Sequence, residues 1–189
     1  MTAPRFSPLN AGNMTPEQKR AADAIQSGPR GGLRGPFNAL LRSPDLADRV
    51  QKVGEYIRFR SSIPERLNEL AILIVARKWT AQFEWYAHHQ FAMKAGLDPA
   101  ITAAIAEGRR PEAMRDDEKV VYDFCTELLE TTQLTDATFA ATVKGFGEQG
   151  VIDLIGALGY YSMVSMILNT DRYPLPEGVP PPLKALRKA

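Results

Sequence analysis

The sequence predicts an all-α protein, and three observations carry that expectation. Apolar residues recur at helical spacing along most of the chain, no segment shows the alternation of a strand, and the breaks fall at prolines, glycines and capping residues. The 189 residues suit one domain with an added arm and can bury a substantial core. We divide them into an N-terminal arm with a short helix over 1–34, a domain of about seven or eight helices over 35–182, and a C-terminal tail over 183–189. No internal repeat of about twenty to fifty residues is present.

The opening dozen residues include Pro4 and Pro8 and lack any period, so they read as an extended arm lying over the body or over a neighbouring subunit. Thr15, Pro16 and Glu17 then supply an N-cap, a first-turn proline and an acidic first turn for a short helix to Gln26. The loop from Ser27 to Gly35, with four glycines and one proline, reads as a mobile entry loop. It lacks the Gly-Lys-Ser ending and the preceding strand of a nucleotide phosphate loop. Pro36, Phe37 and Asn38 begin a short helix through Leu41.

Ser43 or Asp45 caps a helix running to Phe59, with Leu46, Val50, Val53 and Ile57 spaced for one buried face. The run from Ile63 to Lys78 reads as one helix, opened by Pro64 and closed by Arg77 and Lys78 at the end its dipole makes negative. Thr80 is the expected N-cap of the next helix. Asp98 caps a shorter helix after a break at Gly96, and 109–115 is a charged surface loop. Asp116 and Asp117 start the helix that carries Val120, Val121, Phe124, Leu128 and Leu129. Thr135 and Asp136 start another, reaching Phe146.

The final run, Val151 to Leu168, contains Asp153, two glycines and two serines, and falls short of a membrane span in length and apolarity. It reads as a buried central helix ended by Asn169. Gly156 and Gly159 permit close contacts there, while Tyr160 and Tyr161 bring hydroxyls that need partners if buried. The proline-rich tail from Tyr173 to Pro182 is expected to be extended and to pack on a partner chain.

Charge and cysteine content exclude several functions. With 23 basic against 22 acidic residues the chain has no field for nucleic acid and no polybasic face for a membrane. Its single cysteine, Cys125, rules out an internal disulfide framework and fits a reducing compartment. The N-terminus MTAPRFSPLN has no apolar core of signal-peptide length, so a cytoplasmic location is expected.

The candidate site lies in Glu69 to His89, which holds both histidines, both tryptophans and two carboxylates in an otherwise apolar pattern. Leu70, Ile72, Leu73, Ile74 and Val75 are too dense for a surface helix, so Glu69 at their edge is drawn inward. Glu84 and His88 stand four residues apart and share one helix face with Ala81, at roughly 40 degrees. His89 points away, and Phe83 and Tyr86 flank the other sides. Glu69, Glu84 and His88 are therefore the candidate catalytic set.

Glu69, Ala81, Phe83, Glu84 and His88 fall in the register of a known pattern. The chain resembles the carboxymuconolactone decarboxylase superfamily, which includes the alkyl hydroperoxidase D proteins, over Gly35 to Pro182. In the peroxidase branch the corresponding residues are a glutamate, a cysteine, a tyrosine, a second cysteine and a histidine. Here Ala81 and Glu84 replace the two cysteines and Phe83 replaces the tyrosine, so thiol peroxidase chemistry is not expected.

The resemblance implies an alkyl hydroperoxidase D-like helical fold assembled as a homotrimer or homohexamer. It also implies a cofactor-independent lyase or isomerase acting on a small carboxylated lactone or keto acid, as in aromatic degradation. His88 would transfer the proton with Glu84 and Glu69, and a substrate carboxylate would sit near the first turn of the helix beginning at Ala81. A Gly-Pro-Phe stretch near the pocket also matches, which adds Phe37 and Asn38 to the substrate-binding candidates Ala81, Phe83, Trp85 and Tyr161. Two other readings stay open: a non-catalytic oligomeric binding or stress protein, and a metal-dependent enzyme using Glu69, Glu84 and His88 as ligands. The expected set has no metal and no cofactor.

Overall fold

The structure, a computed structural model, describes residues 3–29 and 31–186. Met1, Thr2, Arg30 of the glycine-rich loop and the end of the tail lie outside the described residues. These form eight helices and no strand: α1 (Pro16–Ser27), α2 (Phe37–Leu40), α3 (Pro44–Phe59), α4 (Glu65–Trp79), α5 (Gln82–Lys94), α6 (Pro99–Ala106), α7 (Asp116–Thr131) and α8 (Asp136–Asp171).

α4 is the axis of the bundle. Eleven of its fifteen residues are buried, too many for one face, and it is enclosed by α5, α6, α7 and α8. Its sequence explains this, because an apolar run without polar interruption from Leu70 to Ala76 has no side to offer water. α8 supplies the other core surface through Leu154, Ala157, Leu158, Tyr161 and Val164. α1 closes the outer side of α3 with Ala21, Ala22 and Ile25.

The start of α4 is fixed by a polar anchor from α8. Asp153 accepts from the Ser62 backbone N–H and hydroxyl, both at 2.7 Å, and from the Tyr56 hydroxyl at 3.0 Å. Burial raises the cost of its charge, but these donors outweigh it and hold the carboxyl below its ordinary range. Three helices are thus tied at one carboxylate.

Several expected boundaries differ. Pro64 precedes α4 as its N-cap, so the helix begins at Glu65. Thr80 does not cap α5; it ends α4 in the left-handed conformation (φ 48°, ψ 41°), its N–H donating to Arg77 O and the Ala81 N–H to Ala76 O. The Thr80 hydroxyl is engaged by the Arg77 guanidinium at 2.8 Å, so Ala81 becomes the N-cap of α5. The two last expected helices run together as α8, interrupted only at Gly147 (φ 68°, ψ 176°), and the helix passes Asn169 to end at Asp171. On α3 only Val50 and Ile57 of the expected face are buried, and Leu46 and Val53 are exposed. The face turned inward is instead Ala47, Val50, Gln51, Gly54 and Ile57, whose small residues admit α1 and α8 closely.

By length and composition α8 could cross a membrane, and 56% of its most apolar stretch is buried inside the fold. Both ends of the chain return to the body. The arm bonds to the end of α8, Arg5 N–H to Asp171 O and Phe6 N–H to the Asp171 carboxylate, each at 2.8 Å. Beyond the proline-rich segment the tail packs on its own chain: Leu183 is buried, and its backbone exchanges hydrogen bonds with the Gln82 amide at 2.8 and 3.0 Å.

Candidate functional site

The left-handed corner at Thr80 builds the site. Because only Thr80 and Ala81 separate the helices, α5 folds straight back along α4. Glu69 lies about three turns before the corner and His88 about two turns after it, so the two reach similar heights on facing sides. His88 Nδ1 sits 2.7 Å from Glu69 Oε2, and His88 Nε2 sits 3.0 Å from Glu84 Oε1. All three are buried, at 4–5% exposure.

An imidazole held by carboxylates at both nitrogens favours its cationic form. Burial alone would lower the pKa of His88, but the negative charges of Glu69 and Glu84, with their hydrogen-bonding oxygens, raise it to about 9. At neutral pH the imidazole between Glu69 and Glu84 is therefore favoured in its imidazolium form. His89 differs, as expected for a residue pointing away. It contacts Thr102 at 3.2 Å, stacks with Trp85, and burial lowers its pKa.

The geometry answers the metal reading. Glu69 and Glu84 lie at opposite nitrogens of one ring, so the three side chains do not converge on a point that a single ion could occupy. Among the described residues no cluster of three or more His, Cys, Asp or Glu side chains is arranged to hold a metal.

Glu84 and His88 open onto a cavity of about 960 Å³, whereas Glu69 stands behind the imidazole. Its walls are aromatic: Phe37, Phe83, Tyr86, Phe91, Tyr160 and Tyr161. The Tyr161 ring meets His88 edge-on at 4.8 Å, and its buried hydroxyl has no hydrogen-bond partner among the described residues, although the sequence called for one. Burial, and the nearby carboxylates of Glu84 and Glu69, hold that hydroxyl firmly protonated. The glycine-rich loop and the tail close the cavity from outside. Tyr173 packs edge-on against Phe83 at 4.5 Å and accepts from the Gly35 N–H at 3.2 Å. Gly35 needs its left-handed φ of 72°, and a side chain there would approach Phe83 within 3.5 Å.

The structure thus brings together Glu69, Glu84, His88, Phe37, Phe83 and Tyr161. It leaves out three expected residues. Ala81 is fully buried at the corner, Trp85 faces the opposite side of α5 against His89, and the Asn38 amide ties down the arm at Leu9 and Ser7. It adds Arg58, Phe91, Tyr160 and Tyr173. Phe91 follows His88 by three residues, so one further turn of the same face would have found it. Arg58 and Tyr173 carry no local signal, since Arg58 enters the cavity from the last turn of α3 and Tyr173 from the segment that follows α8.

Cys125 lies apart in the packed side of α7 with Val121 and Phe124, and burial pushes its thiol well above the ordinary range. It is neither a thiolate nor part of the cavity. Neither a scan against protein-family models nor a search of curated proteins finds a match to this chain.

Proposed function

We propose that the chain is a proton-transfer enzyme of the carboxymuconolactone decarboxylase-like type, a cofactor-independent lyase or isomerase for a small carboxylated lactone or keto acid. The observation that supports it is the imidazole clamped between two carboxylates, one of which faces an aromatic cavity. Such a clamp is costly to bury unless its charges are used or fully compensated.

The order of the clamp suggests roles. Both His88 nitrogens are occupied, so the exchange with substrate runs through Glu84, whose second oxygen is not engaged by the ring. Glu84 takes the proton, His88 stabilises the carboxylate and passes charge, and Glu69 fixes the ring from behind. The same reading takes the protein as a homotrimer or homohexamer. The exposed Ile152, Ile155 and Met166 on α8 support assembly, being apolar residues at helical spacing on one face.

The test is a screen of lactones and keto acids for turnover, followed by His88→Ala and Glu84→Gln on the substrate found. Each variant is expected to lose on the order of a hundredfold or more in rate with its fold intact by circular dichroism. Full activity in either variant would remove the proton-transfer assignment.

A further inference from the structure

Arg58 lies in the last turn of α3 at the cavity wall, half-buried, and no part of the proton relay uses it. Its guanidinium carbon lies 4.9 Å from the centre of the Phe91 ring and 5.1 Å from that of Phe59. Stacking on ring faces leaves the N–H edge of the guanidinium free to donate. Among the described residues no carboxylate pairs with it, whereas its neighbour Arg60 is matched by Glu55 at 2.9 Å. The cavity therefore has the half-buried Arg58 at one end, with Arg34 on the exposed loop at its rim, and the acidic relay at the other end. Phe91 stands between them, its ring centre 5.6 Å from that of His88. One small organic acid can touch both.

We infer that Arg58 anchors the substrate, and that the substrate is a planar conjugated molecule with one carboxylate on Arg58 and a carbonyl-activated carbon at Glu84. The inference rests on the proton-transfer reading for what happens at Glu84, but not for the anchor itself. Three features select this class. The walls formed by Phe37, Phe83, Tyr160 and Tyr161 favour a flat body. The relay sets two glutamate side chains against one histidine and so disfavours a second acidic group at its end. The first turn of α5, the other place for a carboxylate, already contains Glu84, which neutralises the positive end of that helix.

The anchor also bears on the reaction. A carboxylate paired with a guanidinium is stabilised in its charged form, so loss of carbon dioxide from that end is disfavoured and it stays a handle. At the other end Glu84 takes a proton from the carbon beside the carbonyl. The C–H electron pair moves into the carbonyl to give an enolate, and the proton returns at a conjugated carbon. The product is an isomer, and no oxidant or co-reactant is consumed.

The probes are 4-acetylbenzoate and its neutral counterpart 4-acetylbenzamide, measured by calorimetry and ligand-observed NMR at pH 7.5. The acid is expected to bind at least about tenfold more tightly than the amide, and Arg58→Leu to erase that preference without changing amide affinity. Arg58→Gln serves as the second variant should the leucine disturb folding. Equal binding of acid and amide, binding of neither at millimolar concentration, or a preference that survives both variants would overturn the anchor. Deuterium incorporation into the acetyl group in heavy water, with and without Glu84→Gln, is read separately. A carboxylate preference without Glu84-dependent exchange keeps Arg58 and removes the proton-transfer reading, while exchange without the preference does the reverse.

Discussion

The protein has two histidines, and the structure sets them on opposite sides of the ordinary value of 6.5. His88 is expected to hold its proton to about 9, and His89 to lose its own below 6.5. A rise from 6.5 to about 9 corresponds to about 3 kcal/mol of preference for the charged ring in the folded state. Because the folded pKa is raised, this stabilisation is fully present below pH 6.5 and is lost as pH climbs through about 9. The direct assay follows the ring nitrogens by two-dimensional ¹H–¹⁵N correlation from pH 5 to 10, with His89→Gln assigning the two signals. Glu84→Gln and Glu69→Gln each remove one of the two attracting charges, and each is expected to bring the His88 midpoint down by about one pH unit or more. Urea midpoints should fall from pH 6 to 9 in the wild type and fall less in Glu84→Gln. If both histidines titrate together near 6.5, or if neither glutamine variant moves His88, the clamp does not hold a charged ring and the reasoning fails.

Gly147 in α8 and Cys125 in α7 give further expected outcomes. Gly147 holds a backbone conformation open essentially to glycine alone, and nothing lies within 4 Å of where a side chain would begin. Gly147→Ala should therefore cost about 1–3 kcal/mol through the backbone alone, measured by chemical denaturation at neutral pH. Cys125 should resist alkylation in the folded protein, and peroxide consumption with a dithiol donor should stay at background. Cys125→Ser should lower stability by about 1–3 kcal/mol, by placing a hydroxyl in an apolar site, while leaving turnover unchanged.

Helix existence was legible because it depends on spacing and caps that stand next to one another in the chain. The Thr15 cap with its returning Gln18, and the Asp98 cap on Ala100, appear in the structure as local chemistry requires. The grouping of Glu69 with Glu84 and His88 was legible for a similar reason, since a short connection between two helices leaves few ways to fold them together. What escaped were outcomes set by competition at a distance. Thr80 carries the side chain of an N-cap, but the Arg77 guanidinium takes its hydroxyl and the backbone turns left-handed to close α4. Trp85 and Asn38 sit close in sequence to cavity residues yet answer to other partners, His89 and the N-terminal arm. Arg58 is one arginine among several in its stretch, and only the meeting of α3 with α5 distinguishes it from Arg60.

The way the glycine-rich loop and the segment after α8 close the cavity separates two kinds of work. Glu69, Glu84 and His88 sit on α4 and α5, where a change would disturb the centre of the molecule. The outer wall, formed by Pro29, Gly31, Gly32, Arg34 and Gly35 and by Tyr173 to Pro176, belongs to segments outside the helices, joined by a hydrogen bond from the Gly35 N–H to the Tyr173 hydroxyl. Substitutions in that wall can reshape the cavity while the clamp of Glu69, His88 and Glu84 and the bundle stay as they are. A chain built this way can change the shape of its cavity by drift at its margins, and a designer wishing to alter that shape should begin at Tyr173 and the loop it fastens.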